Sequence, residues 1–307
     1  MSAHRQVSLV TAVLAPVAVV LALLGLTTSA SAQPGPRTAT VAEEFRGAGH
    51  YVALGDSFAA GPFIPEQRRD PTGCARSTHN YPALVAAALD VTEFTDVTCS
   101  GAATRDMTVA QVVPMGSNPP QFNALRTDTD LVTVTIGGND IGFSEIVLTC
   151  GQLSFSDPLG DPCRRQATAG GTDSYAERIL AAAPRVAGML QGIRERSPHA
   201  SVLLVGYLRI LPPVLGCWPV VPIALRDVPY LDGLQQQLNK MLATQAEASG
   251  ARFIDAYTAS LGHDTCQAPA AKWVEGIIPT SAAYPVHPNA SGMRAVADLT
   301  LTTRTPD

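Results

Sequence analysis

Short apolar runs that break off into polar turns alternate along this chain with longer stretches of helical pattern, and that alternation restricts the fold more than any other feature. The runs are Tyr51-Val52-Ala53-Leu54 and residues 94–98, 131–136, 201–205 and 251–255. Helical patterns lie at about 81–89, 174–197 and 230–249, with a last one from about 291 to 301. Strands that are continuously apolar are buried on both faces, and helices between them supply the crossovers of a parallel sheet. The expectation is an α/β fold with three layers, α/β/α, around a central five-stranded parallel sheet.

The turns at the ends of these runs carry the residues of interest. The first run stops at Gly55-Asp56-Ser57-Phe58. This puts a serine at the carboxyl edge of the sheet, where open α/β sheets bind their ligands. A glycine before it permits a sharp reversal, and a helix starting just after it would aim N–H groups at the serine oxygen. Ser57 is the candidate nucleophile. Two more polar turns, Cys99-Ser100-Gly101-Ala102-Ala103-Thr104 and Gly137-Gly138-Asn139-Asp140, follow apolar runs in the same way. Near the end stands Tyr284-Pro285-Val286-His287-Pro288-Asn289, just before a helical pattern opening at Ser291. His287 is the natural base. Asp56 and Asp140 read as helix caps or turn braces, because short carboxylates accept backbone N–H groups there. His4, His50, His79 and His199 read as surface or turn histidines, and His263 is the rival to His287, although no strong helix start follows it. The serine turn, Gly55-Asp56-Ser57-Phe58-Ala59, does not fit the G-x-S-x-G elbow.

Taken in order, the GDSF at 55–58, the glycine turn at Gly101, the GGND at 137–140 and the HPN at 287–289 resemble the SGNH (GDSL-type) hydrolase family, from about Tyr51 to the end of the chain. The resemblance implies a flavodoxin-like sheet, Ser57 as nucleophile and His287 as general acid/base. It also implies an oxyanion hole built from Ser57 N–H, Gly101 N–H and the Asn139 side-chain amide. The family commonly carries an aspartate three residues before the histidine, but here that residue is Tyr284. Some actinobacterial relatives use a backbone carbonyl instead, so the resemblance points to the carbonyl of Tyr284 or Pro285 as the acceptor for His287 Nδ1–H, and to a Ser57–His287 dyad. A carbonyl can fix the tautomer but lacks the charge that stabilises an imidazolium.

The first segment concerns the compartment. His4 and Arg5 precede an apolar run from Val7 to Leu26, and Thr27-Thr28-Ser29-Ala30-Ser31-Ala32 supplies a small-residue cleavage site before Gln33. Residues 1–32 read as a secretory signal, with no stable membrane insertion after cleavage, and residues 33–50, with Pro34, Gly35 and Pro36, as a flexible exposed arm. The hydrolase domain is then 51–307. Removing 32 of 307 residues leaves 275, enough for one large α/β domain.

Six cysteines, Cys74, Cys99, Cys150, Cys163, Cys217 and Cys266, fall after the signal, and an even number in an exported chain argues for disulfides. Sequence alone leaves all 15 connectivities open. Similar actinobacterial enzymes pair neighbours in order, which implies Cys74–Cys99, Cys150–Cys163 and Cys217–Cys266. No C-x-x-C occurs, so neither a zinc site nor any other cofactor is expected. Formal net charge is −5, and −6 once Arg5 is removed with the signal. This disfavours nucleic acid and anionic membrane surfaces as partners. A monomer is expected.

Residues 208–223 are rich in apolar side chains, Leu215 and Trp218 among them, yet broken by Pro212, Pro213, Pro219 and Pro222. Proline forbids a regular helix, while the segment is too apolar to stand wholly in water. It reads either as a wall of an acyl-binding cleft or as a loop tacked to the core beside Cys217. The functional expectation is a secreted, extracellular serine esterase or lipase acting on small-molecule or lipid esters, through an acyl-enzyme. The alternatives are a phospholipase A, a carbohydrate acetylesterase, or a non-catalytic surface-binding protein on the same fold.

Overall fold

A computed structural model of the chain describes residues 39–304. The expected signal, residues 1–32, and the first residues of the expected arm lie outside the described residues. In chain order the elements are α1 (Val41–Glu44), β1 (His50–Gly55), α2 (Ser57–Ala60), α3 (Tyr81–Leu89), β2 (Glu93–Asp96), β3 (Gln111–Val113) and β4 (Gly116–Asn118). There follow β5 (Leu131–Thr135), α4 (Phe143–Ser154), α5 (Pro162–Ala167), α6 (Ser174–Arg196), β6 (Ser201–Val205), α7 (Asp227–Ala248), β7 (Arg252–Ile254), α8 (Ala256–Ala259) and α9 (Ala290–Thr302). Five strands form one sheet in the order β2-β1-β5-β6-β7, every pair parallel, while β3 and β4 form a separate antiparallel hairpin.

This is the flavodoxin-like order. β1 and β5 are neighbours, yet the chain leaves β1 in one direction across the sheet and β5 in the other. Right-handed crossovers therefore put α3 and α6 on opposite faces and open a crevice between the carboxyl ends of β1 and β5. All six residues of β1 and all five of β5 are buried, as continuously apolar central strands require, whereas the edge strands β2 and β7 keep partly exposed residues. The register sets Gly55 opposite Thr135, so both turns leave the sheet at one level.

The arm expected over 33–50 is corrected in its second half. Thr40 and Glu43 form a capping box on α1, Val41 and Phe45 are buried in the core, and His50 is the first residue of β1. Val41 and Phe45, four residues apart, share the inward face of a single turn. Val41 N–H donates to the Thr303 carbonyl at 2.9 Å, which ties this turn to the end of α9.

The six cysteines pair as Cys74–Cys99, Cys150–Cys163 and Cys217–Cys266, with Cα separations of 4.3, 4.9 and 5.5 Å. Each bond lies in the connections leaving the carboxyl ends of the strands. The first joins those after β1 and β2, the second joins α4 to α5, and the third joins those after β6 and β7.

Candidate active site

Gly55 ends β1 with φ +140°, and a Cβ there would stand 2.5 Å from the Thr135 carbonyl oxygen, so only glycine makes this turn. The turn is held from the side by Gln121. This fully buried side chain accepts from Gly55 N–H at 2.8 Å and donates to Gly55 C=O at 3.0 Å. Asp56 caps α2, its Oδ1 accepting from Phe58 N–H at 2.9 Å, which leaves Ser57 as the first helical residue with its own N–H outside the helix ladder.

Ser57 Oγ lies 2.7 Å from His287 Nε2, although 230 residues separate them. His287 Nδ1 is 2.8 Å from the carbonyl oxygen of Pro285. A carbonyl only accepts, so the proton sits on Nδ1 and the Nε2 lone pair faces the serine hydroxyl. Of the two carbonyls considered, Tyr284's is already taken by His287 N–H at 3.1 Å, so Pro285 is the ring's partner. Val286 between them adopts φ +62°, a left-handed conformation that costs a β-branched residue on the order of 1–3 kcal/mol and bends the segment so that a carbonyl two residues back meets the imidazole. The strain is held in place from the helix side. Asn289 caps α9 through Ser291 N–H and Gly292 N–H, and donates to the Lys272 carbonyl and to Glu275 Oε1 at 2.8 Å. Burial alone would raise the Glu275 carboxyl, but Asn289 and Thr280, whose N–H and hydroxyl both donate to it, hold it below its usual value.

The imidazole packs between Phe58 and Tyr284, with ring centroids at 5.1 and 5.2 Å. Burial drives its pKa down to about 4, against a smaller upward pull from the Pro285 carbonyl. At neutral pH it is therefore an unprotonated base. His263 is elsewhere, stacked on Trp273 at 3.8 Å with Nδ1 against the Ala271 carbonyl.

Asn139 follows β5 and lines the same cavity as Ser57 and His287. Its Nδ2 donates to the Ala102 carbonyl at 2.8 Å, which uses one of its two hydrogens and orients the other. Gly101 differs. It turns with φ +81°, but it lines a neighbouring depression beside Ser100, Arg105 and Gln111 and not the cavity itself. Asp140 braces the turn, accepting from Thr104 N–H, Thr104 Oγ1 and Arg185.

The sequence reading did not single out Tyr207. Its hydroxyl donates to Asp56 Oδ2 and accepts from Gly138 N–H at 2.7 Å, so one phenol bridges the turn bearing Ser57 to the turn bearing Asn139. Gly138 is glycine because a Cβ would press on that phenol at 3.0 Å. Burial pushes the Asp56 carboxyl up to about 7, with the Tyr207 and Phe58 hydrogen bonds pulling the other way.

Beyond this polar end the cavity is apolar. Phe143, Ile146, Val147 and Gly151 come from α4; Ile210, Leu211, Val221 and Ile223 from the connection after β6; and Leu231, Leu234 and Leu238 from α7. Residues 208–223 thus do form a cleft wall, but through these side chains and not through Leu215, which is exposed, or Trp218, which packs edge-on against Phe155. The helix α4 was missed, although its inward residues recur at i, i+3, i+4 and i+8, a legible helical signal. Among the described residues no group of three or more His, Cys, Asp or Glu side chains is gathered to hold a metal, and no helix is long and apolar enough to cross a membrane.

A hydroxyl facing an imidazole lone pair beside a free amide hydrogen has the geometry for acyl transfer, and the comparisons give the family. A model of the GDSL-like Lipase/Acylhydrolase family matches residues 53–295, and the chain belongs to that family. It is 40% identical over 286 residues to Lipase 2 of Streptomyces coelicolor, covering 91% of each chain, and 32% identical to a lipase of Streptomyces rimosus, covering 79% of this chain and 81% of that one. Among solved structures it is similar to phospholipase A1 from Streptomyces albidoflavus NA297, with TM-score 0.69 and 27% identity, and to the extracellular lipase from Streptomyces rimosus, with TM-score 0.68 and 28% identity. Each alignment covers 82% of this chain and 98% of the other. The protein is a lipase or esterase, a hydrolase of small-molecule carboxylic esters.

Proposed function

We propose that this hydrolase is exported and cleaves lipid or medium-chain acyl esters through a Ser57–His287 dyad. The 2.7 Å contact between Ser57 Oγ and the lone-pair nitrogen of His287, at the mouth of an apolar cavity, carries the reading. His287 Nε2 takes the serine proton as Oγ attacks the ester carbonyl. The same imidazolium then returns the proton to the leaving alkoxide, an acyl-enzyme forms, and water reverses the sequence. Negative charge on the former carbonyl oxygen is met by Ser57 N–H and the free hydrogen of Asn139 Nδ2, with Gly101 N–H on the adjoining turn as the third donor. The Pro285 carbonyl orients His287 in place of a carboxylate.

The lining favours an acyl chain over a sugar, since the walls from α4 and α7 offer an acetylated carbohydrate few polar partners. The similarity to a phospholipase A1 supports a second reading, in which the ester belongs to a phospholipid. Export is supported by the apolar first segment with its small-residue end and by three disulfides, which persist in oxidising compartments. Hydrolysis of a series from acetate to palmitate esters, with phosphatidylcholine alongside and Ser57→Ala as control, tests the reading. Rates that rise with chain length and vanish in Ser57→Ala support it, and a preference for acetate overturns the acyl-cleft assignment. Amino-terminal analysis of protein from the culture medium should begin at Gln33.

A further inference from the structure

Exposed apolar side chains are not spread evenly over this molecule. Among the described residues, eight of the 15 large hydrophobic side chains that stand in solvent fall in three segments around the cavity, residues 146–156, 210–225 and 276–286, whereas α6 exposes Leu180 alone. Residues 146–156, 210–225 and 276–286 each contribute lining side chains, and none of the three segments contains a charged residue or a histidine, in a chain of which 15% is charged.

The three segments touch. Ser154 Oγ donates to the Pro222 carbonyl at 2.7 Å, and Phe155 meets Trp218 at 5.2 Å. A Cβ on Gly276 would be 3.6 Å from the Val221 side chain, and Cys217–Cys266 ties the middle segment to the β7 connection that contains the third. Together they present Leu148, Phe155, Val214, Leu215, Val220 and Ile278 outward, each more than 60% exposed. The disulfide and four prolines restrain the middle segment, so these side chains cannot readily fold inward. Apolar surface held out of the core around a cavity mouth marks an interaction site.

We propose that this uncharged apron seats the enzyme on a zwitterionic or uncharged lipid surface, with the cavity mouth against the acyl layer. Electrostatics single out this occupant. A chain of net charge −5 with no basic residue in the apron gains nothing from anionic lipid, whereas six outward apolar side chains partition into any lipid–water boundary. The apron is continuous with the lining at Val221, Pro222 and Ile277, so an acyl chain passes from lipid to cavity without crossing water. The inference rests on the lipid-ester reading, and it adds a surface that no step of the chemistry uses.

The test uses flotation of the Ser57→Ala protein, which hydrolyses nothing, with phosphatidylcholine vesicles. Binding should survive 1 M salt. It should fall about tenfold or more in Leu215→Asp combined with Ile278→Asp, and stay unchanged in Leu180→Asp. In the active enzyme the same pair of substitutions should leave kcat/KM on a dissolved short-chain ester unchanged, which also reports correct folding, while lowering the rate on emulsified ester. The proposal is overturned if the paired substitution does not weaken vesicle binding, if Leu180→Asp weakens it equally, or if binding requires anionic lipid and is released by salt. A dimer in sedimentation that the paired substitution dissolves would assign the apron to a second copy of the chain instead. Failure of the active enzyme on every ester would sink the proposed function, an outcome the vesicle experiment does not depend on.

Discussion

The cavity has two ends that offer a substrate different forces. At the polar end, Ser57, His287 and Asn139 arrive from three turns distant in the chain, and hydrogen bonds aim them: the imidazole donates to the Pro285 carbonyl, Asn139 donates to the Ala102 carbonyl, and Gln121, Asp56 and Tyr207 hold the serine turn. At the apolar end, α4 and α7 are tied to the connection after β6 behind the wall, by Ser154 on the Pro222 carbonyl and by Gln235 on Leu208 and Ile210, but the surface offered to an acyl chain is almost wholly apolar side chains in packing contact. Directional bonds fix atoms to tenths of an ångström. Dispersion and area fix only a shape. One end can therefore perform a reaction, and the other can only rank the chains that reach it.

Removing the base should separate the two ends most sharply. His287→Ala should lower kcat by a factor on the order of 10⁴ to 10⁶ while KM for a long-chain ester moves little, as steady-state kinetics would register. Asn139→Ala comes next, at about 100- to 1,000-fold in kcat with a smaller change in KM. A rise in KM at constant kcat would instead make Asn139 a substrate-binding residue.

Acidity probes the packing around the base. Because the His287 pKa is lowered from 6.5 to about 4, the neutral, competent form persists as pH falls, and the acid limb of kcat/KM should centre near pH 4. The sign carries over to stability. The unfolded chain binds this proton first, so the group's contribution is complete above pH 6.5 and is lost as pH falls towards 4. An acid limb near 6.5 would show an imidazole in contact with water.

At the apolar end effects should be gentler. Gly151→Leu adds a side chain to the α4 wall, where a Cβ would meet nothing closer than the Pro222 carbonyl at 3.7 Å. It should lower kcat/KM for palmitate relative to acetate esters by roughly tenfold. Smallest of all, Tyr284→Phe should leave activity nearly unchanged, since the ring keeps its edge-on contact with His287 and the hydroxyl makes no hydrogen bond to it. A severe loss there would show that the dyad is incomplete as drawn.

The polar end was largely legible in the sequence because its residues sit in short motifs at strand ends, where local backbone demands and chemistry coincide. Gly55 must be glycine to turn, and Ser57 must follow it. The partners that brace these motifs were not legible. Gln121 holds Gly55 from 66 residues away, and Tyr207 reaches Asp56 across 151, and nothing local marks either side chain for such a task. Helix α4 differs, since the spacing of its inward residues, Phe143, Ile146, Val147 and Gly151, is a local signal that the sequence does carry. The packed turn at Val41–Phe45 was hidden by the prolines before it.

Alternating apolar runs and helices, with a polar turn after each strand, were enough by themselves to determine a parallel sheet and to put serine, asparagine and histidine on its carboxyl edge, because strand direction and turn chemistry are local properties. Only the tertiary structure decided which carbonyl orients the imidazole, how far its proton affinity falls, and which side chains wall the cavity. Those depend on distances between segments far apart in the chain, and no local preference encodes them.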